Sequence, residues 1–168
     1  MTITFHANGD VTGSGAANFG ASGNIVQYIV VPAQSVNNRS SQNAASWYGT
    51  NIIASITPTN ANNRIVIDSA IACHGDNSGA GGYLSWNNQA GGTDLDLQKT
   101  VFFASNGTGW STVNCKFQQI AGTTSQLNFE LNIWRYNAGS FYIGWDSGQD
   151  GSTTNQNSAY AHIMEIKV

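Results

Sequence analysis

Ile53-Ala-Ser-Ile-Thr-Pro-Thr-Asn-Ala-Asn-Asn-Arg-Ile-Val-Ile-Asp68 reads as two β-strands joined by a reversal. Apolar, β-branched residues at both ends favour extended backbone. Pro58 locks its own φ and has no N–H for a ladder, so the first strand stops there. The run Asn60 to Asn63 tolerates the left-handed backbone that a tight reversal often needs, and its amides can bond the local main chain. Ile65, Val66 and Ile67 then restart a strand.

The same signals extend in both directions. Ile25 to Val31 predicts a strand ended by Pro32, and another runs from about Asn51 to Ile56. Val113, Cys115 and Phe117 alternate with Asn114, Lys116 and Gln118. Leu127, Phe129, Leu131 and Ile133 alternate with Asn128, Glu130 and Asn132, the cleanest period of two in the chain. Further strands are expected at Met1–Phe5, Arg64–Cys73, Tyr83–Trp86, Leu95–Ala104, Phe141–Trp145 and Ala159–Val168. Phe141–Trp145 should pair with the strand before it through the Asn137-Ala-Gly139 turn. No segment supports an amphipathic helix of three turns. About nine or ten strands with Gly/Asn turns predict an all-β fold, an antiparallel β-sandwich. Residues 24–168 read as its single domain. Residues 1–23 read as a short strand followed by an extended arm, because His6 to Gly23 is rich in Gly, Ala, Ser and Asn and has little to bury.

Only 9% of the 168 residues are charged, against about 25% in an average soluble domain. Neutral amides and hydroxyls must solvate the surface, which suits subunit packing or polysaccharide rather than phosphate. The net charge is −3 and the six Lys and Arg are scattered singly, so the clustered cations that nucleic-acid binding needs are lacking. No apolar run is long enough to span a bilayer as a helix, and no signal peptide is evident. Synthesis in a cytoplasm is expected.

Three short motifs resemble a β-rich module of bacteriophage tail-fibre and other virion-surface proteins. The Ile53–Asp68 segment is similar to that family's Ser-Ile-Thr-Pro-Thr-Ser-Ala-Ser-Ser-Lys-Ile-Leu-Val, with Asn in place of the serines and Arg64 in place of the lysine. Ala161-His-Ile-Met-Glu-Ile166 resembles its closing Ile-Thr-Leu-Met-Glu-Ile, and Gly23-Asn-Ile-Val-Gln-Tyr28 its opening Gly-Lys-Val-Leu-Gln-Val. The resemblance brackets residues 23–168, with the middle matched only in texture. It implies a jelly-roll-like sandwich, assembly as a homotrimer, and a place on a virion made in the host cytoplasm.

Candidate chemistry is sparse. Asp94 and Asp96 share a strand face and could in principle serve acid–base hydrolysis or a cation, but a solvated face is the plainer reading. Asp146-Ser-Gly-Gln-Asp150-Gly151 faintly resembles a calcium loop, yet its twelfth position is Asn157, without the bidentate carboxylate. His6, His74 and His162 have no ligand spacing, and Cys73 and Cys115 read as buried free thiols. No metal, cofactor or catalytic set is expected. Trp47, Tyr48, Trp86, Trp110 and Tyr136 fall near strand ends or loops. Such rings offer flat apolar faces to sugars, or fill core edges and subunit interfaces. The expectation is a non-enzymatic virion protein of the fibre or attachment type, contacting other virion proteins and a host-surface glycan. A capsid decoration protein and a carbohydrate-binding module are the alternatives.

Overall fold

The computed structural model describes residues 2–5, 11–14, 23–31, 47–75, 81–90, 98–103, 111–136, 141–143 and 160–168. Among them are eleven strands and no helix: β1 (Thr2–Phe5), β2 (Val11–Ser14), β3 (Ile25–Val31), β4 (Trp47–Ile56), β5 (Arg64–Gly75), β6 (Gly81–Asn88), β7 (Thr100–Phe103), β8 (Ser111–Ile120), β9 (Leu127–Arg135), β10 (Phe141–Ile143) and β11 (Tyr160–Ile166). The all-β expectation holds, and every pairing is antiparallel.

Two sheets carry the core. One runs β8-β5-β11-β3, and the other β4-β9-β6-β7. β5 is long enough to pair β11 over Arg64–Ala70 and the short β10 over Cys73–Gly75. β8 covers the opposite side of β5 over Arg64–Cys73, so β10 and β11 share one side. Alternation sets the inner faces, because successive side chains point to opposite sides of a sheet. Ile65, Ile67, Ile71 and Cys73 point inward from β5, Val113, Cys115 and Phe117 from β8, and Leu127, Phe129, Leu131 and Ile133 from β9, all within one buried cluster. Phe117 and Phe129 touch across the two sheets with ring centres 5.4 Å apart. This packing of one inner face on another is consistent with a β-sandwich.

Polar links also cross the interior. Trp86 on β6 is fully buried, and its Nε1 donates to Ser69 Oγ on β5 at 3.0 Å. Ser69 Oγ in turn donates to the Cys115 carbonyl at 2.7 Å. At the outer edge of β8, Gln98 replaces a missing strand. Its Nε2 donates to Gln118 O at 2.8 Å, and its Oε1 accepts from Gln118 N at 2.7 Å.

Three segments distant in sequence meet at one carboxylate. Glu165 points inward from β11 and is fully buried. Its Oε1 accepts from Thr59 N, Thr59 Oγ1, Asn60 N and Asn63 Nδ2 at 2.6 to 3.2 Å. Its Oε2 accepts from Gln27 Nε2 at 2.7 Å. The Thr-Pro-Thr turn, the opening strand and the closing strand thus converge on one carboxylate. Burial pushes the Glu165 pKa up, but the hydrogen bonds from Asn63, Thr59 and Asn60 outweigh it and hold it below the usual value.

Two expectations need correction. β10 pairs with β5, not with β9. The preceding strand β9 is already flanked by β4 and β6, so no edge is left for it. The stretch expected to be an extended arm contains β2, which pairs with β1 in register Thr2↔Ser14 to Phe5↔Val11.

Candidate binding site on the outer face of the four-stranded sheet

The parity that sends Leu131 and Ile133 into the core sends Asn128, Glu130, Asn132 and Trp134 outward from β9. Register then assembles an aromatic row across all four strands. Trp47 on β4 lies opposite Trp134, Trp134 lies opposite Tyr83 on β6, and Tyr83 lies opposite Val101 on β7. Tyr136, just past β9, completes the group. Its ring meets Trp134 edge-on at 4.9 Å and Tyr83 at 5.4 Å, and its hydroxyl donates to Tyr83 Oη at 2.5 Å. That hydrogen bond is the main reason the Tyr136 phenol is held above its ordinary pKa. Tyr83 and Trp134 lie 5.3 Å apart, and Lys99 Nζ sits 4.4 Å from the centre of the Tyr83 ring. A cation over an aromatic face is an attractive arrangement.

Polar rows continue down the same face. Asn132 stands opposite Gly49 and Ser85, Glu130 opposite Ile53 and Asn87, and Asn128 opposite Ser55. Ser85 Oγ is buried at the base of the face with no hydrogen-bond partner. Ser55 Oγ donates to Asn128 Oδ1 at 2.7 Å.

A bulge in β4 shapes the margin. Gly49 pairs with Asn132 and Ile53 with Glu130, so four residues of β4 advance against two of β9. Asn51 turns out with φ of 61°, a left-handed value that Asn tolerates better than most residues. Thr50 Oγ1 donates to Leu131 O at 2.7 Å and accepts from Ile52 N at 3.2 Å, repairing the ladder. The Glu130 carboxylate fills the bulge and accepts from Asn51 N at 2.9 Å and from Gln89 Nε2 at 3.2 Å. A Cβ at Gly49 would lie 2.8 Å from Glu130 Cδ, so a larger residue there would move the carboxylate out of the bulge.

The five rings singled out from sequence therefore separate. Trp47 and Tyr136 join the outer aromatic group, with Tyr136 41% exposed. Tyr48 is turned to the other side, opposite Ile133, and packs on the core. Trp86 is a correction: its side chain shares the inner face with Leu84 and is not at the surface. Trp110 lies outside the described residues, as do Asp94, Asp96, His6 and the Asp146–Asn157 loop. Tyr83 and Trp134 were not among the sequence candidates. Their signal was present in the alternation, since Trp134 has the opposite parity to Ile133.

Among the described residues no cluster of His, Cys, Asp and Glu could hold a metal ion. Cys73 and Cys115 are free and buried, as expected. Burial pushes both thiols up, Cys115 to about 11. His162 lies on the other sheet, stacked on Tyr28 at 5.2 Å with its Nδ1 2.6 Å from the Tyr28 hydroxyl. The described carboxylates are engaged structurally: Glu165 in its cage, Glu130 in the bulge, and Asp68 3.6 Å from Lys116 Nζ. Neither a protein-family model nor a curated protein matches the chain.

Proposed function

We propose that this protein is a non-enzymatic bacteriophage virion-surface protein of the attachment type, which holds a host-surface glycan on the outer face of β4-β9-β6-β7. The observation that carries the reading is the group of Trp47, Trp134, Tyr83 and Tyr136 beside rows of amide side chains on that face. Aromatic rings offer flat apolar surfaces to the C–H faces of sugars, and amides bond sugar hydroxyls.

The proposed architecture is a jelly roll assembled as a homotrimer. Strand order supports the first part. Taking β3, β4, β5, β6, β7, β8, β9 and β11 as eight successive strands, one sheet holds the first, eighth, third and sixth, and the other the second, seventh, fourth and fifth. This is the arrangement of an eight-stranded double Greek key. The virion assignment rests on the resemblance of the three sequence motifs to virion-surface modules.

The test is binding of purified protein to intact host cells and, in parallel, to capsids lacking it. Attachment predicts cell binding that competes with phage adsorption. Trp134→Ala and Tyr136→Ala should weaken it about tenfold, the equivalent of one aromatic contact of about 1.4 kcal/mol. Capsid binding without cell binding would overturn the reading in favour of a decoration protein.

A further inference from the structure

We infer that the apolar side of the β8-β5-β11-β3 sheet, centred on β3, is buried against a second copy of this chain. An antiparallel sheet with one solvated face normally turns polar residues outward. Here register places three lateral rows on the outer face. Val30, His162, Asp68 and Lys116 form one, and Tyr28, Met164, Val66 and Gln118 the next. Ile25, Ile166, Arg64 and Ile120 form the third, beside a bulge that also exposes Val26. The charges lie on β5 and β8, whereas the β3 side is apolar.

Exposure is concentrated there. Ile25, Tyr28 and Val30 are 54 to 56% exposed, and Val26 is 41% exposed. At roughly 200 Å² for a large side chain, these four present on the order of 400 Å². The half-buried Met164, Ile166 and Val66 extend the patch towards the ~800 Å² per partner of a standard interface. Contiguous apolar patches of this size mark interaction surfaces.

Two observations favour a second copy as the occupant. Around a rotation axis the same residues of each copy converge, so like charges would face one another; Ile25–Val31 contains no charged residue. Among the described residues, β3 also has a strand neighbour on one side only. An uncharged seven-residue edge without proline lacks the usual devices that block strand association. The inference does not depend on glycan binding, and it specifies a contact face for any closed stoichiometry.

The experiment is sedimentation equilibrium of the full chain over a concentration series, for wild type, Tyr28→Glu, Val30→Lys and the control Val101→Lys on the other sheet. Wild type and the control should sediment as a multiple of the 17.8 kDa chain. The two β3 variants should shift the association midpoint at least about a hundredfold towards monomer, with unchanged circular dichroism. Hydrogen exchange of the wild type gives a second readout free of any substitution: amides of residues 25–31 should gain protection as concentration rises. A wild type that stays monomeric without concentration-dependent protection would overturn the inference. So would folded β3 variants that keep the wild-type mass.

Discussion

Glu165 shows how one side chain can tie together three distant parts of a chain. Gln27 is 138 positions away and Thr59 is 106, yet both donate to its carboxylate. The folded pKa lies below the ordinary value, so the stabilisation is complete above the unfolded pKa and is lost as pH falls through the folded one. Glu165→Gln keeps the size but turns an amide N–H₂ towards some of these donors. Urea titrations should show a loss of about 3 kcal/mol at pH 7, in keeping with breaking a buried charged network. The gap between variant and wild type should close as the pH drops below 4. A gap independent of pH would show that the charge is not what stabilises the cage. No periodicity announces such a residue: Ala161, Ile163 and Glu165 share one parity, and only the folded turn reveals why the third can be acidic.

The β4 bulge is the clearest test at the level of an element. Gly49→Ala should destabilise the fold by about 1 kcal/mol, the worth of one hydrogen bond, because making room for the methyl moves the Glu130 carboxylate off Asn51 N. In a Glu130→Ala background the same change should be nearly neutral, and denaturation of the four variants of this cycle measures the coupling. Additive effects would mean that Gly49 serves another purpose. Strands were the most legible elements in the sequence. The alternation from Leu127 to Ile133 and the Pro58 stop were both sufficient to place them. Pairing was less legible, because β10 finds its partner on β5 66 to 70 positions earlier, in register Phe141↔Gly75 to Ile143↔Cys73, and no local turn signals it. The β1–β2 pairing did have a local signal, Asn8-Gly9, masked by a composition that reads as an arm. Half the candidate site was legible for the same reason. Trp47 and Tyr136 stood out as aromatics near strand ends, whereas Trp134 and Tyr83 needed the face of each strand to be assigned first.

For the whole molecule, closure of the two sheets over one core governs access to the interior. Cys73 and Cys115 point into that core, and burial keeps both protonated at neutral pH. Native protein should therefore resist alkylation by iodoacetamide at pH 8, and both thiols should react on denaturation, as counted by intact mass. Rapid labelling of either thiol in the native state would mean that the sheets separate readily. Trp86 belongs to the same interior, its indole bridging β6 to Ser69 on β5. An aromatic that looks like a surface ligand site in sequence is here part of what joins the sheets.

The position of β11 has a consequence for biosynthesis. It lies between β3 and β5, the strand ladder continuing past it as Gly23 N donates to Lys167 O. The centre of one sheet is thus supplied by residues that leave the ribosome about 130 positions after their partners on β3 and about 90 after the nearest of those on β5. Until they emerge, β3 lacks the one strand partner it has among the described residues, and the side of β5 that β11 covers is open. Folding of this sheet should wait until residues 160–166 have emerged and then proceed cooperatively, at the slow rate typical of long-range β pairing. A ribosome stalled before residue 160 would hold a chain with that gap unfilled, its apolar β3 available to chaperones.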